Sequence, residues 1–249
     1  MKPQIGLQLY TLRDQLTQDF DATIRRVADM GYKGVETAFF GDKITAKEAS
    51  QQFEDLGLDV IAAHCALPLG EEQESTLSLL EDLQCKRAVW HGWPQDERYQ
   101  TLKGVHELAE LYNAANTLFQ SQGILFGLHN HWWEFEPVEN HLPYDVLCSL
   151  LLPDIFFELD TYWIQTAGKN PVAIVRDAGA RAPLLHIKDG PATRSEDMVA
   201  VGAGTLDIPA IVKASQDNAE WLIVELDSCA GDIWQTLEQS YRYLTNILG

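Results

Sequence analysis

Residues 155–190 read IFFELDTYWIQTAGKNPVAIVRDAGARAPLLHIKDG. A short apolar and aromatic run, Ile155–Asp160, ends on an acidic residue. The segment Ala173–Ala178 has helical character and stops at Gly179, and a second apolar run, Leu184–Lys188, follows. A helix that stops on glycine and hands over to a strand within a few residues is how a βα unit returns its chain to a sheet. The pattern recurs outward from this stretch. Phe20, Ile24, Val27 and Met30 share one helical face before Gly31, Gln51–Leu56 ends at Gly57, and Leu108–Gln122 ends at Gly123. The other apolar runs are Ile5–Leu9, Lys33–Thr37, Asp59–His64, Ala88–His91, Ile124–Asn130 and Trp221–Asp227. Their nearly continuous apolar character suits parallel strands covered on both faces. Eight strands alternating with helices predict an α/β fold, a closed (β/α)8 barrel forming a single domain over residues 1–249. An open doubly wound sheet is the competitor, but no G-x-G-x-x-G follows the first strand. The longest loop expected is Gly190–Gly204, a candidate cover for a site.

Length and composition agree. A chain of 249 residues is ordinary for one such barrel, and 46% apolar with 22% charged residues is globular composition. The formal charge of −19 repels phosphate backbones and anionic lipid, so neither nucleic acid nor membrane is an expected partner. Cys65, Cys85, Cys148 and Cys229 contain no C-x-x-C pair and read as reduced thiols. Arg13 and Asp14 interrupt the N-terminal segment before any long apolar run, which argues against a signal peptide, and no later run is long enough to span a membrane. A cytoplasmic location is therefore expected.

Chemistry in an α/β barrel gathers at the carboxyl ends of its strands. In this chain those ends carry Glu36, His64, His91, His129 with His131 and Glu134, then Asp160, His186 and Glu225, each spaced as one βα unit. Five of the seven histidines fall there, whereas chance would scatter them over helix surfaces. Buried carboxylates beside buried imidazoles are costly unless a cation neutralises them, and a divalent metal with oxygen and nitrogen ligands is the economical explanation. Asp160, His186 and Glu225 make the strongest case, because three consecutive strands each end in a ligand-competent group. His64 and His91 could equally line a pocket, and Glu36 could touch substrate or anchor a loop. Glu158, two residues before Asp160, points the same way but deeper and needs a partner. Trp90, Trp93, Trp132, Trp133 and Trp163 also sit at or just past strand ends, joined by Tyr10, Phe39 and Phe40. Flat apolar faces beside polar groups suit a sugar or polyol, although some of these rings simply close the barrel mouth.

GLQLYTLRD (6–14), GYKGVE (31–36), LHNHWWEF (128–135), ELDTYW (158–163) with AG (167–168), LLHIKDG (184–190), VGAGTLD (201–207) and IVELD (223–227) together resemble the xylose-isomerase-like sugar phosphate isomerase/epimerase superfamily, which also contains the apurinic endonucleases. The resemblance covers nearly the whole chain. It implies an α/β barrel with one divalent metal ion (Mn2+, Mg2+, Co2+ or Zn2+) held by Glu, Asp, His and Glu from the last four strands. Asp160, His186 and Glu225 match the last three. At the first position His129 stands where the epimerases carry glutamate; Glu134 in the same motif is preferred as fourth ligand or as a base, with His129 its rival. The resemblance further implies proton abstraction beside a carbonyl, with Glu134, Glu225, His129 and Lys188 as catalytic candidates and Glu36, His64, His91, His131 and Trp163 on the substrate.

The expected function is thus a metal-dependent sugar isomerase or epimerase acting on a keto-sugar or polyol. A lyase (a dehydratase or a keto-glycoside eliminase or hydratase) on the same scaffold is the alternative. A non-catalytic sugar-binding protein is a further reading. Phosphodiester hydrolysis is disfavoured by the net charge and by Trp163, which replaces a metal-binding histidine of the endonucleases. Lys188 reads either as a donor to a substrate oxygen or as half of a solvated ion pair with Asp189. Gly202 and Gly204 lie where barrels often bind phosphate, but with only Lys188 and Arg194 nearby an unphosphorylated ligand is favoured. A homo-oligomer is left open.

Overall fold

A computed structural model describes residues 2–38, 40 and 43–249. Phe39, one of the aromatics expected at the mouth, lies outside the described residues. In chain order the elements are β1 (Gln4–Gln8), α1 (Arg13–Gln18), α2 (Phe20–Met30), β2 (Gly34–Thr37), α3 (Ala46–Asp55), β3 (Asp59–Cys65), α4 (Glu72–Asp82), β4 (Arg87–Trp90), α5 (Leu102–Ser121), β5 (Leu125–His129), α6 (Pro143–Leu150), β6 (Phe156–Asp160), α7 (Thr161–Thr166), α8 (Pro171–Ala178), β7 (Leu184–Ile187), α9 (Ile208–Ser215), β8 (Trp221–Val224) and α10 (Ile233–Leu248). The strands are all parallel and pair in sequence order, and β8 closes on β1 through Ile5↔Leu222 and Leu7↔Val224.

The glycine stops behave as expected. Gly31, Gly57 and Gly123 have φ of +103°, +67° and +68°, the left-handed backbone that lets a helix end and the chain turn back. Helix starts were less legible. α3 begins five residues before the periodic segment Gln51–Leu56, because a reciprocal Thr45–Glu48 capping box opens it. α5 begins at Leu102 on a Thr101 cap, and α8 at Pro171 on an Asn170 cap. Among the described residues no helix is long and apolar enough to cross a membrane, and all four cysteines are free thiols.

Two apolar regions hold the barrel. The larger lies between strands and helices, and a smaller cluster of Ile61, Ala62, Val89, Phe156, Leu184, Trp221 and Ile223 fills the barrel below its mouth. Bulky rings fit there because glycines face them. A Cβ on Gly127 would come 2.2 Å from the Phe156 ring, and one on Gly6 would come 2.2 Å from Ile61 Cδ1. Gly127→Ala is therefore expected to overpack this floor and destabilise the chain by about 1–3 kcal/mol. Urea denaturation would measure it, and Phe156→Leu in the same chain should restore part of the loss. An unchanged midpoint would mean that the floor is not tightly packed.

Candidate functional site

Strand alternation places the polar tier directly above this floor. Residues two apart on a strand share a face. On β1 Gly6 is followed inward by Gln8, on β2 Gly34 by Glu36, on β5 Gly127 by His129, and on β6 Phe156 by Glu158 and Asp160. The register sets His129 beside Glu158 and Asp160 beside His186. A register shift between Val35 and Glu36 against β3 marks a bulge, past which His64 also turns inward onto Glu158.

At the centre lie two carboxylates with no solvent exposure, Glu36 and Glu158. Glu36 Oε2 accepts from Gln8 Nε2 at 2.7 Å and lies 2.6 Å from His186 Nε2. Glu158 Oε1 lies 2.9 Å from His64 Nε2, 3.1 Å from His129 Nδ1 and 2.8 Å from His186 Nε2. The partner that Glu158 lacked on paper is thus a ring of three imidazoles drawn from β3, β5 and β7. Burial, followed by the charge of Glu158, pushes the Glu36 carboxyl up to about 7. Burial lowers His64, and it holds His129 and His131 well below the usual imidazole range, so those two rings are neutral near pH 7. His186 behaves differently. Burial alone would lower it, but Glu158, Glu225 and Glu36 together raise it well above that range.

Toward the mouth a second layer gathers. His129, Asp160, His186 and Glu225, from four successive strands, each offer one ligand atom, and all four atoms lie within 4.8 Å of one another. Asp160 Oδ1 caps α7, accepting from the backbone N–H groups of Tyr162 and Trp163. Asp160 Oδ2 faces His129 Nε2 at 3.8 Å and pairs with the Lys188 ammonium. His186 Nδ1 lies 2.7 Å from Glu225 Oε2. Two nitrogens and two carboxylate oxygens form a donor set that fits a divalent ion of the zinc or manganese type, so this cluster could bind a metal. The Lys188 ammonium, buried, lies 2.9 Å from Asp160 Oδ2, 2.6 Å from Glu225 Oε2 and 2.6 Å from Asp227 Oδ2. Burial would lower its pKa, but Asp160, Asp227 and Glu225 together raise it well above the usual value. Glu225 is pulled down in turn: Lys188 and His186 outweigh the burial that would raise it, and it stays ionised.

The expected residues therefore divide. His129 enters the four-residue group and Glu134 does not. The carboxylate of Glu134 is folded back onto its own 3-10 turn, Trp133–Phe135, where Oε2 accepts from the His131 N–H at 2.9 Å. The i, i+3 spacing of His131 and Glu134 closes this turn. Glu36, expected on substrate, faces Gln8, His64 and His186 beneath the mouth. The solvated pair between Lys188 and Asp189 does not form. Asp189 is wholly buried and accepts four backbone N–H groups, from Gly190, Gly202, Gly204 and Leu206. That arrangement winds the 190–204 loop around one carboxylate and occupies the amides of Gly202 and Gly204. Arg194 is engaged as well, pairing with Glu136 while its guanidinium lies over the Trp132 ring.

His91 and His131 line the outer wall, half-buried, with His131 stacked on Trp133 at 4.2 Å. Burial lowers His91 to about 4. Trp133 is buried and closes the mouth, Trp163 is nearly buried 4.9 Å from Trp132, and Trp93 stands 55% exposed. Sequence reading did not single out Gln8, Asn130 or Asp227. Asp227 lies two residues beyond Glu225, a recognised inward position, which was the available signal, and Gln8 stands at the same spacing from Gly6. Asn130 clamps β5 to β6 by accepting the Asp160 N–H at 2.9 Å and donating to the Asp160 carbonyl.

Glu134 gives a pH prediction. Burial raises its pKa from 4.5 to about 8, against the hydrogen bonds from the backbone N–H groups of His131 and Glu134. Below about pH 4.5 both folded and unfolded chains carry the proton. As pH rises toward about 8 the unfolded chain releases it while the folded chain retains it, so stability falls across that window. Glu134→Gln removes this titration. Its stability relative to the unaltered chain should grow by on the order of 3 kcal/mol between about pH 5 and pH 8, read by urea denaturation at each pH. A pH-independent difference would refute the buried, protonated carboxyl.

Comparison with known proteins bears on the fold. No curated protein matches the chain. A sugar phosphate isomerase/epimerase from Parabacteroides distasonis ATCC 8503 superposes with a TM-score of 0.85 at 24% identity, over 99% of this chain and 100% of that one. An L-ribulose 3-epimerase gives 0.72 at 16% identity, over 99% and 94%. The probable 3-DHS dehydratase AsbF from Bacillus anthracis gives 0.76 at 15% identity, over 98% and 99%. At such identities these likenesses establish the architecture alone. The family model of the xylose isomerase-like TIM barrel matches residues 24–246, and the chain belongs to that family.

Proposed function

We propose that the chain is a divalent-metal-dependent sugar isomerase or epimerase that removes a proton beside the carbonyl of a keto-sugar or keto-polyol. The observation that carries this reading is the convergence of His129, Asp160, His186 and Glu225 from β5 to β8 on one point at the mouth. Those four residues would hold the ion, which when bound would polarise the substrate carbonyl and lower the cost of charge on its oxygen. Glu225, kept ionised by Lys188 and His186, takes the proton from carbon and can return it to the neighbouring carbon. Lys188, held from the far side by Asp227, donates to the substrate oxygen on which charge develops. The exposed Trp93 offers a stacking surface for the C–H face of a sugar ring.

A second reading is favoured by one observation. The group contains a single glutamate, with an imidazole at the β5 position, whereas inversion at carbon needs a proton acceptor on each face. A lyase uses the same abstraction and then expels a β-hydroxyl or glycosidic oxygen. Both outcomes are known on this fold, among an L-ribulose 3-epimerase and a probable 3-DHS dehydratase.

Metal analysis of the purified chain, then incubation of the metal-loaded protein with a panel of keto-sugars in heavy water, tests both. Solvent deuterium at the carbon beside the carbonyl, without loss of water or alcohol, is the result expected of an isomerase. Elimination would give the lyase reading precedence. Silence on a metal-loaded sample would overturn both.

A further inference from the structure

We propose that Glu36 and Glu158 are an inner pair of positioning carboxylates that fix which ring nitrogen of His186 and His129 faces the outer ligand group. This rests on the metal-site reading above and deepens it. The two rings are strung between two layers of acid in opposite senses. His129 turns Nδ1 inward, 3.1 Å from Glu158 Oε1, and Nε2 outward, 3.8 Å from Asp160 Oδ2. His186 turns Nε2 inward, 2.6 Å from Glu36 Oε2 with Glu158 Oε1 at 2.8 Å, and Nδ1 outward, 2.7 Å from Glu225 Oε2.

Glu36 Oε2 already accepts from Gln8 Nε2, and Glu158 Oε1 lies within hydrogen-bond distance of three ring nitrogens, so each oxygen acts as an acceptor and the nitrogen facing the inner pair carries the hydrogen. In neutral His129 the other nitrogen then has its lone pair free toward Asp160, whereas His186 Nδ1, 2.7 Å from Glu225 Oε2, carries a hydrogen in the metal-free chain and offers its lone pair outward only when an ion takes that hydrogen's place. The inner carboxylates are themselves braced. Gln8 Nε2 donates to Glu36 from β1, and His64 Nε2 lies 2.9 Å from Glu158 from β3. A brace of this kind would be lost if either ring carried its hydrogen only on the outer nitrogen, because the inner acid would then face a bare lone pair.

His64, His129, Glu158 and His186 also satisfy the spacing for a cation of their own. The inner nitrogen–oxygen separations, 2.6 Å at Glu36 and 3.1 Å at Glu158, are hydrogen-bond lengths, and on His129 the outer separation of 3.8 Å is not, so on that ring the hydrogen belongs to the inner side.

The experiment uses the full chain labelled with 15N-histidine and Zn2+ as the diamagnetic probe. Long-range 15N–1H spectra of the Zn2+-loaded protein should find hydrogen on Nδ1 of His129 and on Nε2 of His186, with one ion per chain. Chelator-competition titration should find Glu158→Gln and Glu36→Gln each binding Zn2+ about 10–100-fold more weakly than the unaltered chain. Variants that bind as tightly with the same histidine spectrum would overturn this proposal and leave the metal-site reading intact. Two ions per chain, with the inner N–H signals lost, would also overturn it. If the chain takes up no Zn2+, the metal-site reading fails; the His129 tautomer in the metal-free protein then still decides this proposal, and hydrogen on Nε2 refutes it.

Discussion

Glu225→Gln is expected to lower proton exchange between a keto-sugar and heavy water by about 10³-fold, with the loss in kcat and little change in KM. The neutral amide keeps the shape of the side chain but cannot accept a proton from carbon. The substitution should leave a folded protein, because each cation it deprives retains other partners. Lys188 keeps Asp160 and Asp227, and His186 keeps Glu36 and Glu158. The expected stability cost is that of a charged hydrogen bond, roughly 1.5–3 kcal/mol. Deuterium incorporation followed by NMR, beside a thermal melt of the same sample, separates the two effects. Full exchange in this variant would remove Glu225 from the base role.

Lys188→Met should have the largest effect on stability. The ammonium is shared by three carboxylates, Asp160, Glu225 and Asp227, and the side chain is almost fully enclosed. Deleting it leaves those charges facing one another with no cation between them on that side. Breaking a buried ion pair by removing one member typically costs about 3–5 kcal/mol. A divalent ion bound by His129, Asp160, His186 and Glu225 would neutralise two of the three carboxylates, so excess Mn2+ should return most of the loss. Melting curves of the variant with and without Mn2+ measure both. A variant as stable as the unaltered chain, or one that Mn2+ leaves unimproved, would refute this account of how the acidic cluster is balanced.

The barrel was legible because its signals are local. A helix that stops on glycine and an apolar run that follows are written in adjacent residues, and their repetition leaves few topologies. Strand alternation also made Asp160, His186 and Glu225 readable as inward groups, since period-two geometry needs no tertiary knowledge. Helix starts at Ala46, Leu102 and Pro171 were missed, because caps rather than periodicity define them. The choice between His129 and Glu134 was not legible either. Both lie in one motif, and only the 3-10 turn, with the His131 N–H bound to Glu134, separates an inward ring from a folded-back carboxylate. The destination of Lys188 was hidden for a related reason: its sequence neighbour Asp189 is consumed by four loop amides, while Asp160 and Asp227 arrive from other strands. Sequence determined which side chains point into the barrel. Only closure of the sheet, which sets Glu36 of β2 against His186 of β7, 150 residues later, decided which of them touch, since the partners in a buried polar cluster depend on the whole circumference being in place.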